Sequence, residues 1–99
     1  MDNIDNLVIL FDYYGELLSD SLKKYFTEYY FENLTLSEIA ENHEISRNAV
    51  SKDIKLATEK LNFYDEKLNL IKKDKMLKKI INKIDNEKIK QELNDIIDE

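Results

Sequence analysis

One short segment of this chain carries side-chain types that bind nucleic acid. Arginine and asparagine can each make two hydrogen bonds to a base edge, and serine and lysine reach phosphate oxygens. In the stretch RNAVSKDIK, which follows Ser46, helical periodicity separates these polar types from an apolar face formed by Val50 and Ile54. The candidate nucleic-acid-binding residues of this stretch are Arg47, Asn48, Ser51, Lys52 and Lys55.

Three carboxylates near that stretch oppose the binding of a polyanion. Glu44, Asp53 and Glu59 lie close to the candidate residues in the sequence. Because they repel phosphate, they weaken the local positive potential. A solvated helix face, or a contact with another protein, is therefore an alternative interpretation of the same residues.

A second group of basic residues forms what we call the lysine ridge. Its members recur at spacings of three, four and four residues, which places them on one face of a helix: Lys72, Lys75, Lys79 and Lys83. Apolar residues are expected on the opposite face: Leu77, Ile80, Ile81 and Ile84. The ridge suits phosphate oxygens of RNA or DNA. An ordinary solvated face is an alternative, and a membrane-surface contact is disfavoured because the segment lacks aromatic residues.

The composition predicts an all-α protein. The 99 residues include no proline and one glycine, so the chain lacks the residues that hairpin turns need. The net charge of −6 argues against a general attraction to DNA, although seven lysines stand against one aspartate from Lys67 to Lys83. No apolar stretch approaches the ~20 residues of a membrane span, and no secretion signal is visible. We therefore expect a cytoplasmic protein without membrane insertion.

The segment from Thr35 to Lys60 predicts a helix-turn-helix. Thr35 and Glu38 fit a capping box at the start of its first helix, and Ser46 can cap its second helix. Apolar residues at inward-facing positions are expected to hold the two helices together: Ile39, Ala40, Ile45 and Val50. A motif of this kind usually offers its second helix to nucleic acid.

Glu44 is an unusual residue for the turn of such a motif. The turn commonly uses glycine, because the backbone there adopts a positive φ. A side chain in that conformation costs on the order of 1 kcal/mol. A reshaped turn, which would change the angle of the second helix, is therefore one possible outcome.

Helical periodicity predicts six helices. The first is expected at Asn3–Leu18, the second begins at a cap of Ser19 or Asp20 and ends near Phe31, and the third is Leu36–His43. The fourth begins after Ser46 and continues to Ile71, the fifth is Lys72–Ile84, and the last follows a cap at Asp85 and Asn86 and ends near Ile97. Gly15 costs roughly 1 kcal/mol inside a helix relative to alanine, so we expect close packing around it. The expected domains are residues 1–71, with the helix-turn-helix and the long fourth helix, and residues 72–99, a lysine-rich helical extension.

The fourth helix carries an apolar stripe with a 3.5-residue repeat, which is typical of a coiled coil. The stripe consists of Val50, Ile54, Ala57, Leu61, Tyr64, Leu68 and Ile71, and a second stripe beside it of Ala49, Leu56, Phe63 and Leu70. The second half of the first stripe needs a cover, which either the first helix or a second copy of the chain provides. We expect both, with a homodimer interface at Leu61, Tyr64, Leu68 and Ile71, and a monomer is the alternative.

No group of residues indicates an enzyme, a cofactor or a metal site. The carboxylates lie on polar helix faces without a convergent His, Ser or Lys partner. His43 is the only histidine and the chain has no cysteine, which argues against zinc. His43 is expected instead to end the third helix and to interact with its last carbonyls. Among the aromatic residues, Tyr13 and Tyr30 lie off the inner stripes and are candidates for an exposed contact.

Several of these segments together resemble the YlxM family of bacterial proteins. The stretches that carry the resemblance are LFDYYGELL at 10–18, YF at 25–26 with YY at 29–30, LSEIAE at 36–41 and ISRNAV at 45–50. The first stretch is the most specific, and the middle portion also resembles region four of sigma factors. The similarity extends from about Asn6 to Ile71. The sequence departs from the family pattern at His43 and Glu44, where an aromatic residue and a glycine are expected.

The resemblance implies a sigma region four-like helix-turn-helix bundle in a small cytoplasmic protein. It implies an accessory or regulatory role in the bacterial signal recognition particle pathway, with that particle's GTPase and its RNA as partners. It transfers no catalytic residue, and it assigns nucleic-acid contact to the candidate residues after Ser46. The departures favour RNA or protein binding over a conventional DNA contact. A sequence-specific DNA-binding transcriptional regulator, or a protein-interaction module without nucleic-acid binding, is the alternative.

Overall fold

The computed structural model describes residues 3–98 and confirms the all-α prediction. Those residues form six α-helices and one short 3-10 segment, and no strand occurs among them. The helices are α1 (Ile4–Tyr14), α2 (Asp20–Tyr30), α3 (Leu36–His43), α4 (Arg47–Leu68), α5 (Leu70–Ile81) and α6 (Glu87–Ile97), and the 3-10 segment is Gly15–Leu17. The described residues divide into two units, an N-terminal unit that ends at Lys67 and a C-terminal unit that begins at Leu68.

Apolar side chains at helical spacing build the core of the N-terminal unit. The buried apolar residues of this unit are Leu7, Leu10, Tyr14, Leu18, Leu22, Phe26, Ile39, Ala40, Val50, Ile54, Ala57 and Leu61. At its centre the rings of Phe11 and Phe26 stack with their centroids 4.9 Å apart. The hydroxyl of Tyr14 donates to Oδ1 of Asp65 at 2.7 Å, which ties the end of α1 to the last turns of α4. The rings of Tyr14 and Tyr64 lie with their centroids 6.4 Å apart, so the end of the first helix covers part of the apolar stripe of the fourth, as one of the two expected alternatives requires.

Gly15 lies in close contact with the ring of Phe11, in line with the expected close packing. A Cβ atom built on Gly15 would lie 3.0 Å from two ring atoms of Phe11. The predicted helix from Asn3 to Leu18 is nevertheless too long. Asn3 is the N-cap of α1, and the helix tightens into the 3-10 segment after Tyr14. The amide of Leu18 then bonds to the carbonyl of Gly15 at 3.1 Å.

The start of α3 confirms the predicted capping box. Oγ1 of Thr35 accepts from the amide of Glu38 at 3.1 Å, and Oε1 of Glu38 accepts from the amide of Thr35 at 3.0 Å. Glu44 follows the helix with φ 56° and ψ 41°, so the turn keeps the left-handed conformation although no glycine is present. The amide of Ile45 bonds to the carbonyl of Ala40 at 3.0 Å and closes the turn. The reshaped turn that Glu44 left open as an outcome therefore does not occur, and Glu44 adopts the positive φ that is usual for glycine in this motif.

The prediction that the fourth helix continues to Ile71 is wrong. The helix ends at Leu68, and Asn69 adopts φ 54° and ψ 36° before α5 begins at Leu70. Asparagine tolerates the left-handed conformation better than other residues with a side chain, so it can stop a helix without glycine or proline. The fifth helix is accordingly Leu70–Ile81 and not Lys72–Ile84.

The C-terminal unit is a pair of helices, α5 and α6. Asn86 caps α6 as predicted, since its Oδ1 accepts from the amide of Ile89 at 3.1 Å. An ion pair between Nζ of Lys78 and Oδ1 of Asp98, at 3.3 Å, joins the last turn of α5 to the residue that follows α6. Among the described apolar residues of the unit, Ile81 alone is buried, with 3% of its surface exposed.

Candidate nucleic-acid interface

The packing of α4 decides which of its faces is available to a ligand. Oγ of Ser46 accepts from the amide of Ala49 at 3.0 Å, so Ser46 caps this helix as predicted. Val50 and Ile54 then bury themselves against Ile39 and Ala40 of α3. The opposite side of the helix must therefore point outward.

The five candidate residues all lie on that outward side. We call them the outer face of α4: Arg47, Asn48, Ser51, Lys52 and Lys55, each of which is exposed. They occupy the first three turns of the helix, where the recognition helix of a helix-turn-helix contacts nucleic acid. Their donors are available to base edges or phosphates, because none of their side chains is needed for the core.

The three carboxylates near the outer face of α4 in the sequence differ in their positions in the structure. Glu59 is exposed and lies one helical turn after Lys55, on the same side of the helix. Glu44 is exposed in the turn, whereas Asp53 is half-buried and lies away from this side. The face is therefore basic with an acidic edge, and the edge weakens its attraction for phosphate.

A concavity of about 470 Å³ opens beside the outer face of α4. We call it the α1–α4 groove, and its lining residues are Leu7, Tyr29, Tyr30, Leu36, Ser51, Ile54, Lys55, Thr58 and Glu59. It combines an apolar floor with a polar rim, and two residues of the outer face, Ser51 and Lys55, belong to that rim. Sequence reasoning missed this groove, because side chains of four separate helices form it.

A second concavity lies at the N-terminal end of α4. Its volume is about 490 Å³, and Arg47 lines it together with Thr35 and Asn33. It shares Tyr29 and Leu36 with the α1–α4 groove. The two concavities therefore adjoin each other, and each is lined by one cation of the outer face of α4, Lys55 in the first and Arg47 in the second.

The two tyrosines expected at the surface differ in their surroundings. Tyr13 is 36% exposed. Tyr30 is half-buried: it packs on the core of the helix-turn-helix, and its ring centroid lies 4.7 Å from that of Phe26. Part of Tyr30 still lines the α1–α4 groove.

His43 fastens α3 to α2. Its Nε2 lies 2.8 Å from Oε2 of Glu28, and its ring meets the edge of the Tyr25 ring with centroids 5.0 Å apart. The expected interaction with the carbonyls of its own helix is thus replaced by a contact between helices, since the ring points back toward α2. Residues 3–98 contain no group of three or more His, Cys, Asp or Glu side chains that could hold a metal ion.

The residues predicted at a dimer interface differ in exposure. Leu61 is fully buried within one chain, and Tyr64 and Ile71 are half-buried. Leu68 is 44% exposed. The second stripe of α4 is more open, because Leu56 is 39% exposed and Phe63 is 52% exposed. Lys67 extends over the Phe63 ring, with Nζ 5.6 Å from the ring centroid.

All four residues of the lysine ridge are exposed, but only Lys72, Lys75 and Lys79 lie on α5, because the helix ends at Ile81 and Lys83 falls in the turn that follows. The apolar residues expected on the side opposite the ridge differ in how far they are buried. Ile81 is buried and Ile84 is half-buried, whereas Leu77 and Ile80 are 47% and 58% exposed. The helix is too sparsely covered by α6 to bury its whole apolar side. Within residues 3–98, no helix combines the length and the apolar character that crossing a membrane requires.

These features define a helix-turn-helix protein. Its first helix is capped, its turn is left-handed, and the outward side of its second helix is polar and basic. The particular family follows from comparison with known proteins. The chain belongs to the UPF0122 family, described as "Putative helix-turn-helix protein, YlxM / p13 like", whose sequence model matches residues 1–99. The match includes the lysine-rich C-terminal segment, which lay outside the expected limit at Ile71.

Individual members of the family are similar over most of the chain. The UPF0122 protein YlxM of Bacillus subtilis is 44% identical over 75 residues, which are 76% of this chain and 68% of that protein. A UPF0122 protein of Caldanaerobacter subterraneus subsp. tengcongensis is 42% identical over 78 residues, or 79% of this chain and 67% of the relative. A UPF0122 protein of Listeria welshimeri is 37% identical over 84 residues, or 85% and 76%.

Proposed function

We propose that this protein binds nucleic acid without catalysis, as an accessory or regulatory component of the bacterial signal recognition particle pathway in the cytoplasm. The observation that carries the proposal is the outer face of α4. Its five polar and basic residues are all exposed, while the opposite side of the same helix is fixed in the core. Membership of the YlxM-like family supports the pathway, with that particle's RNA and its GTPase as proposed partners.

RNA is the proposed target in preference to duplex DNA. The net charge of −6 and the exposed carboxylates of Glu44 and Glu59 reduce the general attraction for a rigid duplex. A helix-turn-helix that reads a DNA major groove depends chiefly on base edges and on flanking phosphate contacts. RNA loops offer both phosphates and unstacked bases, so a face with cations and an acidic edge suits them better. The lysine ridge is proposed to contact further phosphates.

Two other functions are each favoured by one observation. The placement of Arg47 and Asn48 in the first turn of α4 suits a sequence-specific DNA-binding regulator. The exposed side chains of Leu56 and Phe63 suit a protein-interaction module. The proposed homodimer would use exposed apolar surface such as that of Leu68, and sedimentation velocity of the wild-type protein and of Leu68→Glu tests it. A wild-type protein that remains monomeric at high concentration would remove the dimer.

The direct experiment is a fluorescence-anisotropy titration with labelled signal recognition particle RNA at ~150 mM salt, where weak surface attraction is largely screened. Unlabelled duplex DNA of random sequence serves as competitor. Saturable RNA binding that the duplex does not displace is the expected result. Preference for particular duplex sequences by at least ~10³ over random duplex would establish the DNA regulator instead. No binding to either nucleic acid would leave protein interaction as the function.

A further inference from the structure

We infer that the α1–α4 groove holds one unpaired base of an RNA strand, and that guanine is the base it fits. The inference rests on the proposed function, because two residues on the rim of the groove, Ser51 and Lys55, belong to the outer face of α4. It goes further by naming the part of the RNA that is recognised and the side chain that selects it.

The groove has the size and the walls of a site for a planar ring. Its volume of about 470 Å³ falls within the range of ordinary ligand pockets. Tyr29 and Tyr30 lie edge to face in its lining, with ring centroids 4.9 Å apart and planes at 86°. Such a pair offers the face of one ring and the edge of the other, and Leu7 and Leu36 complete an apolar surface. Bases of single strands stack on aromatic surfaces of this kind.

The rim provides the charge that a nucleotide needs. Lys55 lines the groove and is exposed, so its ammonium can pair with the phosphate of a nucleotide whose base lies inside. Lys52 is exposed on the same helix and can meet a neighbouring phosphate. The strand would then follow α4 while one base turns inward.

Glu59 gives the groove its selectivity. A carboxylate on a surface that meets phosphates is repulsive unless it accepts hydrogen bonds from the ligand. Guanine has two adjacent donors, N1–H and the N2 amino group, which match the two oxygens of a carboxylate. Uracil has one N–H between two carbonyls, and adenine and cytosine each place an acceptor beside their amino group. Glu59 would therefore convert an unfavourable charge into preference for guanine.

The same geometry explains why a single strand is needed. In a duplex, the N1–H and N2 amino groups of guanine are paired with cytosine, and the base face is covered by its neighbours. Only an unpaired base can present both its edge to Glu59 and its face to the tyrosines.

The test uses labelled RNA oligomers of about ten nucleotides, which suits a groove of this kind. They consist of uracil with a single central guanine, adenine, cytosine or uracil, and their affinities are compared by anisotropy with the full-length wild-type protein. Affinity for the guanine oligomer is expected to exceed that for the all-uracil oligomer by about 10-fold, as one base contact allows.

Glu59→Gln is the diagnostic variant, and Glu66→Gln is its matched control. Both residues are exposed on α4 and both changes remove one negative charge, but Glu66 does not line the groove. The guanine-to-uracil ratio, which a general change in charge leaves unaltered, is expected to fall toward one in Glu59→Gln and to persist in Glu66→Gln.

Three outcomes would overturn the inference. Equal binding of all four oligomers by the wild-type protein removes the base site, and binding of signal recognition particle RNA in the same assay then leaves the proposed function standing. If Glu59→Gln retains the guanine preference, Glu59 is not its source and the inferred site is wrong. Failure to bind any RNA overturns both the inference and the proposed function.

Discussion

The two units of this chain contain similar helices but differ in how much apolar surface they bury. Twelve of the thirteen buried apolar residues described lie before Leu68, and Ile81 is the remaining one. In the C-terminal unit, Met76, Ile80 and Ile96 are 55%, 58% and 69% exposed. Because burial of apolar area is the main stabilising term in folding, the first unit can hold its interface residues in place, while the second depends on caps and an ion pair. The difference separates a rigid scaffold from a pair of helices with surface left for contact.

The largest expected effect is the loss of an aromatic ring from the core of the N-terminal unit. Phe26 is fully buried and stacks on Phe11, so Phe26→Ala is expected to lower the free energy of unfolding by about 3–5 kcal/mol. Phe63→Ala, at a position that is 52% exposed, is the control and should cost far less. Urea denaturation followed by circular dichroism measures both. Equal losses in the two variants would contradict the contrast in burial.

The C-terminal unit should respond locally to the loss of its buried side chain. Ile81→Ala removes the one buried apolar residue described there and is expected to cost about 2 kcal/mol, at the low end for such changes. Amide hydrogen exchange should show faster exchange in α5 and α6 and unchanged exchange in α2 and α4. The neighbouring change Ile80→Ala, at an exposed position, is the control. Faster exchange throughout the chain would mean that the two units unfold together.

The capping box of α3 predicts a medium effect within the helix-turn-helix. Thr35→Ala removes the hydroxyl that accepts from the amide of Glu38, and is expected to lower stability by about 1 kcal/mol. Ser37→Ala, at the exposed second residue of α3, is the control and should be close to neutral. Thermal denaturation measures the stability of the two variants. A Thr35→Ala variant as stable as the wild-type protein would show that the cap does not stabilise the motif.

The smallest expected effect compares the left-handed residues of the two units. Glu44→Gly relieves a side chain held at φ 56° and should raise stability by about 0.5–1 kcal/mol, after allowance for the freer unfolded chain. Asn69→Gly acts at φ 54°, but asparagine already tolerates this conformation, so its gain should be smaller. Chemical denaturation of both variants is the measurement. A larger gain at Asn69 than at Glu44 would reverse the ranking.

Local signals in the sequence predicted much of this fold. The Thr35–Glu38 capping box and the caps at Ser46 and Asn86 depend on neighbours within a few residues, and all are present. The end of α4 was missed, since apolar periodicity continues past Asn69 and asparagine is only a weak helix stop. Contacts between helices, such as His43 with Glu28, leave no periodic signal at all.

The candidate site likewise combines features that local sequence patterns predict with features that depend on contacts between helices. Periodicity alone placed the outer face of α4 on the outside of the helix, because Val50 and Ile54 determine which side is buried. The α1–α4 groove depends on how four helices pack against one another, which no local pattern encodes. From the sequence alone, Glu59 is a charge that opposes the binding of phosphate. Its position in the lining of the α1–α4 groove is the basis for the inferred hydrogen bonds to guanine.

Charge reversal on the outer face of α4 shows whether this helix contacts nucleic acid, and the quantity to measure is the affinity for signal recognition particle RNA. Lys52→Glu/Lys55→Glu is compared by anisotropy at fixed salt with Lys24→Glu/Lys60→Glu, which changes the net charge equally at exposed lysines outside the outer face. The proposed contact of α4 with RNA predicts that the first variant loses affinity by about 10-fold or more relative to the second, because local phosphate contacts dominate binding. Equal affinities in the two variants would contradict it and remove α4 as the nucleic-acid contact.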